Sequence, residues 1–135
     1  MTGWCAVVRV SELRPDVESV SLVVKMEEVL VSASRERPDG TVVRIAEFTV
    51  GDETGCVTLQ LRNEAANVAV QERYLVLRDV SVIMFRGHMR VVLGTSGRVQ
   101  PLDAATLPSD VRPPREVNRR VNMTVSAYEL VTLHE

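Results

Sequence analysis

Between Val80 and Leu102 the chain carries no acidic residue, whereas Arg86, His88, Arg90 and Arg98 all fall there. Arg62 closes a separate alternating apolar stretch. Arg35 and Arg37 sit in the charged run Ser34–Gly40, and Arg44 follows shortly after. A guanidinium is flat, permanently charged and carries five donors, so it forks onto phosphate oxygens and also stacks on planar rings. Cationic contacts to a polyanion release counterions and supply affinity without reading sequence. Phe85 stands beside Arg86 and Gly87 at a predicted strand end. A base stacked on such a ring is worth ~1–3 kcal/mol. Arg62, Phe85, Arg86, His88 and Arg90, with Arg35, Arg37 and Arg44, are therefore the candidate contacts for a single-stranded nucleic acid.

Catalytic chemistry finds no comparable support. The two histidines are His88, in a predicted turn, and His134, next to the last residue. Neither has a nucleophile and a carboxylate at a spacing that suggests a triad. Gly94–Gly97 (GTSG) lacks the lysine of a phosphate loop. Asp52 and Glu53 lie in GDETG, which a hairpin turn explains. Cys5 and Cys56 form no CxxC pair and no zinc-type cluster. The expectation is a binding protein without catalytic residues, cofactor or metal.

These side chains need a scaffold, and the patterns favour strands. Ser19–Ala33 (SVSLVVKMEEVLVSA) reads as a long first strand, bent near Glu27 and Glu28. Ser34–Gly40 reads as a turn, since Pro fixes φ and Gly admits positive φ. Thr41–Val50 alternates, with Val43 and Ile45 on one face and Arg44, Ala46 and Phe48 on the other. Gly51–Gly55 joins it to a third strand, in which Val57, Leu59 and Leu61 alternate with polar residues. Asn63–Val70 predicts one or two helical turns capped by Asn63. Tyr74–Met84 is a fourth strand, Phe85–His88 a turn centred on Gly87, Met89–Leu93 a fifth strand, and Gly94–Gly97 its end. The order predicts an all-β fold: a five-stranded OB-fold barrel with a short helix between strands three and four and a C-terminal extension. Phe48 and Tyr74 have core spacing, and Trp4 is expected to pack over a barrel end.

From Gln100 the texture changes. Four of the six prolines lie in this region, together with Arg112, Arg115, Arg119 and Arg120. Residues 1–102 are expected to form the barrel, and 103–135 a Pro/Arg-rich linker and C-terminal docking segment. Val121–Leu133 regains period-2 spacing and fits a strand, a helix or a docked tail.

Composition bounds the partners. The chain has 135 residues, about one domain. Sixteen basic and eighteen acidic residues give a net charge of -2, so any nucleic-acid site must be a local patch. Fifteen of the sixteen basic residues are Arg. No apolar run approaches the ~18 residues of a membrane span, and the start lacks the pattern of a secretory signal. Reduced thiols and an intracellular, nuclear setting are expected, with a mitochondrial presequence as the alternative. The Val-rich first and fifth strands would allow a homodimer by strand addition if an edge is open.

Gly51–Gly87 (GDETGCVTLQLRNEAANVAVQERYLVLRDVSVIMFRG) resembles the simple OB-fold single-stranded-DNA-binding proteins, the archaeal replication-protein-A-like chains and the B subunit of the SOSS complex. Asp52, Thr54 and Gly55 match the family's D-x-T-G turn, and Phe85, Arg86 and Gly87 match its F-K-G element. Arg14, Pro15 and Asp16 stand at its Lys-Pro-Gly entry, and GTSGRV resembles its Gly-rich fifth-strand end. The resemblance covers roughly residues 8 to 102, and Val121–Thr124 resembles the family's segment after the barrel. It implies binding of single-stranded DNA, with RNA as the alternative, in replication, repair or genome maintenance. It also implies a protein partner in a larger complex. The family stacks bases on about four aromatics. Those positions fall on Arg62, Ser81, Phe85 and Val92, so Phe85 alone keeps its ring. An alternative reading is an OB-fold subunit that acts mainly through protein contacts.

Overall fold

The computed structural model describes residues 6–125. Trp4, Cys5, Tyr128, His134 and the end of the C-terminal pattern lie outside them. The strands are β1 (Ala6–Val7), β2 (Val20–Glu36), β3 (Val42–Asp52), β4 (Gly55–Arg62), β5 (Tyr74–Phe85) and β6 (His88–Pro101). The helix α1 (Asn63–Gln71) joins β4 to β5. The sheet order is β1-β2-β3-β4-β6-β5, and β2 also pairs with β5, so β2 to β6 form a ring of five. All ring pairings are antiparallel except β4–β6, a parallel pairing of three residue pairs from Thr58↔Arg90 to Gln60↔Val92. This is the OB fold, with β1 added as a short parallel partner of β2.

Period-2 alternation builds the core. Ala46, Phe48 and Val50 from β3 meet Val57, Leu59 and Leu61 from β4, Leu75 and Leu77 from β5, and Met89 and Val91 from β6, all buried. Ala66 and Ala69 of α1 are also fully buried, and small side chains let the helix lie close to the barrel. β2 carries bulges between Met26 and Glu28 and between Val29 and Val31, which is the bend expected near Glu27 and Glu28.

Three details differ from the sequence reading. The first strand runs on to Glu36, so the turn shrinks to Arg37–Gly40. There the Arg37 N–H donates to Thr41 O at 2.8 Å, and Gly40 has φ 89°. Asn63 does not cap α1. It has φ 51°, and its Oδ1 accepts the Arg44 backbone N–H at 3.1 Å, so its side chain serves β3 instead. Arg62 takes the cap position without a side-chain cap bond. Gly94–Gly97 does not end the fifth strand. The register passes from Val80↔Leu93 to Arg78↔Arg98, so these four residues loop out opposite Asp79 and β6 resumes to Pro101.

The Pro/Arg-rich stretch and the residues after it lie against the barrel. The Arg115 N–H donates to Glu53 Oε2 at 3.1 Å, Lys25 Nζ to Arg115 O at 3.2 Å, and the Asn118 N–H to Asp52 O at 2.9 Å. Arg119 Nε meets Glu27 Oε2 at 2.8 Å. The Cys56 N–H then donates to Val121 O at 2.8 Å, and Asn122 bridges Cys56 in parallel. Met123 enters the core, and the Thr58 N–H donates to Thr124 Oγ1 at 2.8 Å. Cys56 is buried with a free thiol.

Candidate nucleic-acid interface

The outward positions of β4, β6 and β5 follow from the buried ones. If Val57, Leu59 and Leu61 point in, then Thr58, Gln60 and Arg62 point out. The same parity puts His88, Arg90 and Val92 of β6, and Ser81, Ile83 and Phe85 of β5, on the outside. Register aligns them in rows: Thr58, Arg90 and Ile83 form one, and Gln60, Val92 and Ser81 the next. From β3 come Ile45 opposite Arg62, Glu47 opposite Gln60, and Thr49 opposite Thr58. One continuous face therefore holds Arg62, Ser81, Phe85, His88, Arg90 and Val92.

Two basic ends bound this face. At one end Arg35, Arg37 and Arg62 line an open cleft of about 170 Å³ over Val43 and Ile45. The extension of β2 beyond Ala33 and the tight turn at Arg37 carry the first two guanidiniums to the third. At the other end Phe85 is 43% exposed at the close of β5. Its two-residue turn, Arg86 and Gly87, has φ 53° and 84°, which twists the hairpin in the sense its strands require. The Arg90 guanidinium lies 4.6 Å from the Phe85 ring centre, and that of Arg86 5.2 Å. Four residue steps along β4, from Thr58 to Arg62, separate the ends by about 13 Å. Between the ends lie Ser81 and Val92, paired across the strands, in the row that Gln60 and Glu47 continue. A chain of phosphates could meet cations at both ends and lie on small side chains between.

Arg90 is already engaged. Its Nη1 meets Glu47 Oε2 at 2.5 Å, while Gln60 Nε2 reaches the same oxygen at 3.5 Å. The side chains of Arg90 and Glu47 are only 19% and 17% exposed. Glu47, Gln60 and Thr58 are residues the sequence reading missed. The signal for Glu47 was present, because the alternation that sets Val43 and Ile45 on one face of β3 continues to Glu47.

Arg44 stands apart. It has the parity of Ala46 and Phe48, and its guanidinium bonds Asn67 Oδ1 of α1 and Ser32 Oγ of β2. It braces the helix against the β2–β3 hairpin and is not brought to the basic face. His88 pairs with Phe85 at the turn and belongs to the face.

Residues 13–101 match the family described as single-stranded DNA binding protein Ssb-like, OB fold. An uncharacterized Arabidopsis thaliana protein is 29% identical, over 93% of this chain and 83% of its own. The solution structure of a hypothetical Arabidopsis thaliana protein is similar at TM-score 0.65 and 28% identity, covering 87% of this chain and 82% of that one. The second OB-fold domain of replication protein A from Methanococcus maripaludis shares the fold at TM-score 0.57 and 18% identity, over 72% of this chain and 95% of that one. The match spans the barrel with its basic face, and the chain belongs to the Ssb-like single-stranded-DNA-binding proteins of the OB fold.

Proposed function

We propose that the outer face of β4, β6 and β5 binds single-stranded DNA with little sequence preference, in replication, repair or other genome maintenance. One observation carries the reading. Residues distant in sequence, Arg35, Arg37, Arg62, Phe85, Arg86 and Arg90, converge on the two ends of a single face. Affinity comes mainly from phosphate contacts, because Phe85 is the one Phe, Tyr or Trp on that face among the described residues. The test is fluorescence anisotropy of labelled oligo-dT and oligo-U at low and near-physiological salt. Micromolar or tighter binding to oligo-dT that weakens with salt, and weakens further in Arg62→Ala, supports the reading. No binding at low salt contradicts it, and preference for oligo-U would move the substrate to RNA.

A second reading makes the barrel chiefly a protein-contact subunit of a larger complex, in the nucleus. The observation that favours it is chemical: three of the four positions where the resembled proteins stack bases are Arg62, Ser81 and Val92. Self-association is the narrower form, and β2 is its locus. Its residues Glu28–Glu36 are all exposed. Sedimentation at high concentration tests it, and a monomer removes it.

A further inference from the structure

The Glu47–Arg90–Phe85 cluster holds a contradiction for a strand-binding face. The guanidinium best placed to meet a phosphate is bound to a carboxylate at 2.5 Å and lies 4.6 Å over the ring best placed to stack a base. Glu47 comes from β3 and Arg90 from β6, with Gln60 of β4 between them, so three strands converge on one ion pair. The pair is also incomplete. Arg90 Nε is buried and has no hydrogen-bond partner. A buried donor without a partner forfeits the solvation it had in water, so the closed position is not the best state of this guanidinium. A phosphate engaged by two N–H groups in a fork satisfies more donors than one carboxylate oxygen does.

We propose that Glu47 stands in for the phosphate in the free protein, and that the strand binds by exchange: a backbone phosphate takes Arg90 from Glu47, and the departing guanidinium uncovers the Phe85 ring for a base. The inference rests on the reading of this face as the strand-binding site. Glu47 is thus a residue that sets affinity by competing, without touching the bound strand. The Arg35–Arg37–Arg62 cleft would make the first contact, since its basic side chains have no comparable carboxylate among the residues lining it.

The exchange separates from a plain charge effect in a double-mutant cycle. Oligo-dT anisotropy is measured for wild type, Glu47→Gln, Arg90→Ala and the double variant, with Glu53→Gln as a control of equal charge change. Thermal melts confirm folding, and Glu47→Ala serves if the glutamine variant melts early. Glu47→Gln is expected to tighten binding about tenfold, as the loss of a partly buried competing pair implies. Its logarithmic salt slope should stay close to that of wild type, because Arg90 meets a phosphate in both bound states. Glu53→Gln should change little, and the gain should vanish when Arg90 is Ala. A gain that persists in the double variant, or equal tightening by Glu53→Gln, overturns the exchange and leaves the function reading intact. Weaker binding by Glu47→Gln also overturns it, since Glu47 would then be holding Arg90 in its productive pose. Binding by neither wild type nor Glu47→Gln at low salt overturns both. Binding by Glu47→Gln alone also overturns the exchange, since in wild type no phosphate would then take Arg90 from Glu47.

Discussion

On the proposed reading Phe85 and Arg62 act on the same strand by different physics, and their variants should separate accordingly. Phe85 supplies stacking, but Arg86 and Arg90 already crowd its ring. Phe85→Ala should therefore sit at the low end of the usual range, about 1 kcal/mol or fivefold in affinity, with the salt slope unchanged. Arg62 supplies a cation, so Arg62→Ala should lower the logarithmic salt slope by about 0.7 as it weakens binding. A full salt series on both variants checks the contrast, and identical slopes would contradict it. Cys56 gives a prediction away from the face. Burial, with Glu27 nearby, pushes its thiol above the ordinary 9.0, against the opposing pull of Arg119. The folded protein then keeps the proton after the unfolded chain has lost it. Any stability this contributes is intact below 9.0 and declines as pH rises past it. At pH 8 iodoacetamide should label Cys56 far more slowly than a denatured control, measured in a Cys5→Ser background, and equal rates would refute the burial argument. At this scale the guanidiniums and Phe85 were legible from charge distribution and strand ends. Arg44 was not separable from them, because its parity decides its face and its partners Asn67 and Ser32 lie far away in sequence.

The elements place these residues with tight tolerances at the β3–β4 turn. A methyl at Gly51 would collide with Gly55 O and with Val117 Cγ1 of the docked C-terminal segment. One at Gly55 would come within 2.8 Å of Val121 O. Both neighbours include backbone, which cannot move as a side-chain tip does. Gly51→Ala should cost about 1–3 kcal/mol and loosen the segment from Val117 to Met123. A fall in melting temperature with faster amide exchange at Cys56 and Thr58 is the expected result, and an unchanged melt would show that the turn relaxes freely. The strands themselves were legible because apolar alternation repeats through β3, β4 and β5. Gly94–Gly97 misled because glycines and a polar pair mark a strand end and a wide bulge alike. What distinguishes them is the resumed pairing of Arg98 with Arg78, a nonlocal contact. A docked C-terminal segment was expected from the texture change, but its contacts were not legible, because they are largely backbone groups meeting Asp52, Glu53 and Cys56.

For the whole molecule, a net charge of -2 coexists with a basic face. The carboxylates balance the arginines globally, while Glu47 is the acidic residue set among the rows of that face. Long-range attraction is then weak, and on the proposed reading binding depends on short-range contacts at the two ends. A salt slope of about -2 to -3 is expected, from three or four phosphates at ~0.7 each. Location is the central claim, and amide chemical-shift mapping tests it most directly. The protein is titrated with oligo-dT of about eight nucleotides, within the span of one OB fold. The account predicts shifts confined to Arg35, Arg37, Gln60, Arg62, Ser81 and the Phe85–Val92 hairpin, with little change at Arg44, Arg112 or Arg115. Arg9 and Pro108–Arg115 line a separate cleft on the barrel; shifts centred there, with the β4–β6–β5 face silent, would contradict it.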